Sequence, residues 1–113
     1  MTSLLTVAET TIYARKSEEL LFEEERICIV DFLSSNPKSG KLIRGTGGIR
    51  KLRWAREGTG KSGGVRIIYY FHSERMPLWL LTLYAKNERE DLSADHRKIL
   101  CRLVESLVKE ALS

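Results

Sequence analysis

The side chains best suited to chemistry in this sequence are Lys51, Arg53 and Arg66, with Tyr84 and Lys86 further along. Residues 49–56 and 65–72 both read as strands. On an extended chain Lys51 and Arg53 share one face, and Arg66 shares a face with Ile68 and Tyr70. Antiparallel pairing of the two strands brings these cations within about 5 Å of one another. Like charges that close repel, so the arrangement costs stability until an anion arrives to relieve it. Two readings follow: a site for RNA phosphate, or a basic sheet surface whose guanidiniums stand in water.

Under the first reading the chemistry needs no metal. A ribose 2′-OH attacks its own 3′-phosphate in line, given a base, cations for the added negative charge, and an acid for the leaving 5′-oxygen. Arg66 is the best candidate for charge stabilisation, because a guanidinium grips two phosphate oxygens at once and stays charged. Lys51 qualifies as the base only where neighbouring cations drive off its proton. Tyr84 and Lys86, at the end of the last strand, are further proton-transfer or phosphate-binding candidates. Arg50, Arg56 and Lys61 extend the strip as RNA-binding positions. Trp54 and Tyr70 are candidates for stacking on bases, with core packing the better account of Trp54. His72 reads as a surface residue at a hairpin edge.

The charge is concentrated. Between Lys41 and Arg66 there are eight Lys or Arg against one acid, Glu57, whereas the first 36 residues hold three basic and seven acidic side chains. From Lys86 onward there are six of each, so the net charge of +4 conceals a basic sheet centre between acidic and neutral helices. The 113 residues suffice for one domain, spanning 1–113, with a single core. With 42% hydrophobic and 30% charged residues the chain reads as soluble and globular, not disordered. Its longest apolar run, Pro77 to Leu81, is far below the roughly 20 residues that span a bilayer. No basic segment followed by an apolar core opens the sequence, so no secretory signal is expected. Cys28 and Cys101 stand alone, which fits a reducing cytoplasm, and two histidines 24 residues apart give no support for a metal site. No cofactor is implied.

These residues must be positioned by a small set of elements. A first strand is expected around Leu4 to Ala8, then a helix capped by Thr10 or Thr11 and running to about Leu20. A second helix runs from Phe22 to about Ser35, its acids Glu23, Glu24 and Glu25 matching the helix dipole and Ile27, Val30 and Leu33 forming its buried face. Asn36-Pro37 stops it. Gly45, Gly47 and Gly48 form a turn; GTGG is no nucleotide loop, since neither GK[ST] nor a helix follows. Residues 57–64 are a glycine-rich hairpin connection, and Ser73 to Arg75 close a second hairpin. In the third strand of this meander Trp79, Leu81 and Leu83 oppose Leu80, Thr82, Tyr84 and Lys86. Ser93 caps a final helix whose stripe, Ile99, Leu100, Leu103, Val104, Leu107, Val108, Ala111 and Leu112, packs on the sheet.

The run GTGGIRKLRWAREGTGKSGGVRIIYYF, followed by LLTLYAKNEREDL, resembles toxins of the RelE superfamily, most closely the HigB-type branch, over nearly the whole chain. The resemblance implies an α+β fold: two N-terminal helices on a small, mainly antiparallel twisted sheet of about four strands, plus a C-terminal helix, with a concave basic surface on the sheet's other face. It also implies a ribosome-dependent mRNA endonuclease of a type II toxin–antitoxin pair, cleaving mRNA in the A site and stopping translation. The implied partners are the ribosome, mRNA and a cognate antitoxin, HigA-like with a helix-turn-helix, through which alone operator DNA is met; no membrane is involved. By position Lys51 and Arg53 match the family's basic pair, Arg66 its central arginine, and Lys86 the basic residues after the last strand. Some members carry a tyrosine in the C-terminal segment that acts on the 2′-OH, and this chain has none after Tyr84. The base is therefore Lys51 first and Tyr84 second. The alternatives are a ParE-like toxin that inhibits gyrase, and a non-catalytic nucleic-acid-binding module.

Overall fold

In the computed structural model, which describes residues 5–55, 64–88 and 91–113, helices cover both faces of one mixed sheet. The chain runs β1 (Val7–Glu9), α1 (Thr11–Leu20), α2 (Glu23–Ser35), β2 (Lys41–Leu42), β3 (Ile49–Trp54), β4 (Val65–Tyr70), β5 (Leu78–Ala85) and α3 (Ala94–Leu112). The strand order is β1-β5-β4-β3-β2. The pairs β2–β3, β3–β4 and β4–β5 are antiparallel, and β1 lies parallel to β5. The α+β architecture is the one the sequence implies, with a two-residue edge strand, β2, in addition.

Local chemistry sets the helix ends. The Thr10 hydroxyl accepts from the Tyr13 N–H at 3.0 Å and donates to the Leu81 carbonyl at 2.7 Å, so one side chain caps α1 and ties it to β5. The Phe22 N–H donates to Glu25 Oε1 at 3.1 Å, which satisfies a free donor at the start of α2. This explains a departure from the expected burial of α2. Its inner stripe is Glu25, Ile29 and Leu33, four residues apart, while Ile27 is exposed. A carboxylate folded back on its own helix end can occupy an inward position, so the buried stripe contains an acid that an apolar pattern skips.

The core under α1 and α2 is built from Tyr13, Ile29, Leu33, Leu52, Ile67 and Leu83 among others. A second core lies on the opposite face, where α3 covers Ile49, Ile68, Tyr70, Leu81 and Tyr84 with Leu92 and Val104. Strict alternation along β5 fails. The pairing steps from Ile68↔Thr82 to Tyr69↔Leu80, so Leu81 is an extra residue opposite the Ile68–Tyr69 junction. This bulge flips parity: Leu78, Leu80 and Leu83 join the α1/α2 core, whereas Leu81 and Tyr84 join the core under α3. The same helix departs from its expected stripe at Ile99, which is exposed, as is Ala111. Ser93 caps α3 as expected, accepting from the His96 N–H at 3.1 Å.

Candidate phosphate site

Three strands place one side chain each in a single row. Arg53 is the register partner of Arg66 across β3–β4, and Arg66 is the partner of Tyr84 across β4–β5. Neighbouring strands lie about 4.8 Å apart, so the row spans roughly 10 Å. One step along, Lys51, Ile68 and Thr82 form the next row on the same face, which puts Lys51 diagonal to Arg66. The cations expected to gather here do so.

Their environments differ. Arg53 is exposed, but Arg66 is only 8% exposed and sits within a strand whose six residues are all buried. Among the described residues Arg66 forms no ion pair; Nη1 donates to the Val65 carbonyl at 3.4 Å, a long contact. A Cβ at Gly64 would stand 3.1 Å from the Trp54 carbonyl oxygen, so the close approach of β3 is what restricts this position; Arg66 Nη1, at 3.7 Å, would be in ordinary contact. The Gly64 carbonyl accepts from the Lys86 N–H at 2.9 Å. Lys86, exposed just past β5, is thereby anchored at the Arg66 end of the sheet.

Lys51 is engaged by a residue that the sequence reading missed. Its Nζ donates to Asp91 Oδ1 at 2.6 Å. This hydrogen bond, followed by the Lys51 charge itself, holds the Asp91 carboxyl below its ordinary range, with Arg97 and Arg66 adding smaller pulls in the same direction. An exposed pair of this kind contributes at most about 1 kcal/mol, so an incoming phosphate can displace it. The only sequence signal for Asp91 was its place in a run of alternating charges before α3, which reads equally well as a solvated loop.

Tyr84 is buried at the row's other end and lines a cleft of about 370 Å³ between α1 and α3, with the exposed Ile12 and Ile99 at its sides and Lys16, Thr82 and His96 as its other polar residues. The remaining candidates lie elsewhere. Arg50 points to the opposite face, where Nη1 donates to the Gly40 carbonyl at 2.7 Å and the Lys38 carbonyl at 3.0 Å; it fastens the turn after α2. Tyr70 is buried under α3, four residues along β4 from Arg66, with its hydroxyl 3.0 Å from His72 Nδ1, so its ring is not presented for stacking on a base. Burial also raises the Tyr70 phenol above its ordinary range. Trp54 packs against the core and meets Phe32 edge-on at 5.9 Å, and His72 is exposed. Arg56 and Lys61 lie outside the described residues.

Among the described residues no three His, Cys, Asp or Glu side chains converge as metal ligands, and no helix is long and apolar enough to cross a membrane. What the face offers is fixed positive charge beside a phenol and an ammonium, the groups that bind a phosphodiester and move protons around it. The family model described as the RelE toxin of the RelE / RelB toxin–antitoxin system matches residues 35–112, from the end of α2 through β2–β5 and α3.

Proposed function

Because this chain belongs to the RelE toxin family, with an antitoxin as its implied partner, we propose that it is a ribosome-dependent mRNA endonuclease acting at the Arg53–Arg66–Tyr84 row. The observation that supports this reading most directly is the alignment of two arginines and a tyrosine on three adjacent strands, with Lys51 one step away. The scissile phosphate sits over Arg66, which grips two of its oxygens, and Arg53 neutralises the charge that builds as the 2′-OH attacks. The leaving 5′-oxygen takes its proton from water; Lys51 leaves Asp91 for the RNA, passes its ammonium proton to water and, as the free amine, takes the 2′-OH proton. Tyr84, beside Arg66, is the alternative for that role, and Lys51→Met against Tyr84→Phe distinguishes the two. Lys86, at the same end of the sheet, holds a neighbouring phosphate. On this reading the site of action is the A site of the cytoplasmic ribosome, the chain is of the HigB type, and its neutralising partner is HigA-like.

The test is induction of the wild-type chain beside Arg66→Ala and Arg53→Gln, with mRNA 5′ ends mapped minutes later. Loss of one transition-state cation is expected to lower cleavage by about 10²–10³. Cuts in translated frames that vanish in both variants support the reading. Growth arrest without new 5′ ends, or cleavage by both variants at the wild-type rate, overturns it.

A further inference from the structure

The balanced charge of the C-terminal segment conceals a second cationic surface. Arg97, Lys98 and Arg102 fall on the side of α3 that faces the turn at 44–48, and with Arg44 and Gly45 from that turn they line an open groove of about 640 Å³. Ala94 and Cys101 complete its wall, so four cations and no acid line it. Arg44, Lys98 and Arg102 are exposed, and among the described residues none of the four forms an ion pair. Lys98 and Arg102 stand four apart on one helix face, where like charges repel.

The groove is held in shape. Gly45, Gly47 and Gly48 adopt positive φ (77°, 72° and 120°), which gives the turn its tight course. Buried Thr46 fixes it from within: its hydroxyl donates to the Ile43 carbonyl at 2.6 Å and accepts from the Ile49 N–H at 3.1 Å. Its carbonyl accepts from Cys101 Sγ at 3.5 Å. The wall bearing Arg44 is thus tied to the wall bearing Arg97 and Arg102. The groove also lies beside the site already described: Ala94 on its wall comes three residues after Asp91, the partner of Lys51, and Lys41, three residues before Arg44, is the register partner of Lys51 across β2–β3.

We propose that this groove carries the phosphate backbone of the RNA strand being cut, beside the scissile phosphate, so that the strand runs from Arg53 and Arg66 over Lys51 and onto Arg97, Lys98, Arg102 and Arg44. This rests on the function proposed above. Charge complementarity assigns a polyanion to the groove, and its place beside the row assigns the same strand. A flexible single strand can follow such a path around Asp91.

The probe is a single-stranded RNA with every ribose 2′-O-methylated, which binds but cannot be cut. Its affinity for wild type and for Arg97→Gln/Lys98→Gln/Arg102→Gln is measured as a function of salt, with folding of the variant checked by urea denaturation. Each phosphate contact on a single strand contributes about 0.7 to the slope of log K against log salt, so the triple variant should lose roughly 2 from that slope. An Arg44→Gln variant should lose about 0.7 and serves if the triple variant does not fold. Unchanged slopes overturn the proposal. Weakened binding to ribosomes with an unchanged slope on the strand overturns it too, by assigning the groove to ribosomal RNA. Because the probe cannot be cleaved, a slope loss without cleavage in cells sinks only the function, and cleavage with an unchanged slope sinks only the groove.

Discussion

Neutralising Arg53 should make the unliganded protein more stable. Arg53 and Arg66 are direct register partners, and no anion among the described residues is shared between them. For charges about 6 Å apart, repulsion lies between roughly 0.7 kcal/mol in bulk water and roughly 2.8 kcal/mol at an effective dielectric constant near 20. One partner is exposed and the other is buried, and cross-strand like-charge effects run at about 0.2–1 kcal/mol, so Arg53→Gln should gain about 1 kcal/mol. With a urea slope of about 2 kcal/mol per molar, the unfolding midpoint should rise by about 0.5 M. In an Arg66→Gln background the gain should disappear, since the charge it relieved is gone. Phosphate, added against chloride at matched ionic strength, should raise the wild-type stability by about 1.4 kcal/mol at ten times its dissociation constant, about 0.7 M in midpoint, and should raise the variant's by much less. A lower midpoint for Arg53→Gln, the same gain with Arg66 absent, or equal phosphate effects on both proteins would refute the reasoning.

Two further substitutions test the elements behind the site. A Cβ at Gly40 would lie 2.6 Å from Tyr69 Cε1, and the fully buried Tyr69 hydroxyl accepts from the Gly40 N–H and donates to the Pro37 carbonyl, both at 2.8 Å. Gly40→Ala should therefore cost about 2–4 kcal/mol, overpacking plus weakened hydrogen bonds, and a urea midpoint within error of wild type would sink the assignment. Tyr13 is buried, and its hydroxyl has no partner among the described residues; burial, then the Glu9 charge, pushes its phenol well above the ordinary 10.0. A raised folded-state value means that the Tyr13 contribution is complete below about pH 10 and is lost as pH rises above it. Tyr13→Phe should be neutral or stabilising at pH 7 and should flatten the alkaline fall in midpoint between pH 9 and 11; a fall as steep as that of wild type would contradict this.

What could be read from sequence was whatever depends on local chemistry. Thr10, Ser93 and the Asn36-Pro37 stop act within a few residues, and alternation along β3 and β4 gave the faces of Lys51, Arg53 and Arg66 correctly. What escaped depended on partners distant in sequence. The bulge at Leu81 is a property of how β5 meets β4, so no pattern within β5 announces that Leu81 and Leu83 face opposite ways. Asp91 and Arg97 gain meaning only once α3 lies on the cationic face, because summed along the chain their charges cancel. Tyr70 shows the same blindness: its type suits a base-stacking surface, and its neighbours under α3 make it core.

The position of Arg66 bears most heavily on function. β4 is the middle strand of the sheet, covered by α1 and α2 on one side and α3 on the other, and its other residues are Val, Ile, Ile, Tyr and Tyr. For folding alone an aliphatic residue at 66 would serve better, since a charge taken from water is costly unless it is paired. The nearby acid does not pair with it: Asp91 takes Lys51 at 2.6 Å and influences Arg66 only weakly. A second arginine is set directly opposite. The buried charge and the arginine opposite it both work against stability, and an anion bound between them relieves both. Under the function proposed above, a bound phosphate accounts for an arginine that lies buried in the centre of a sheet with no ion pair among the described residues.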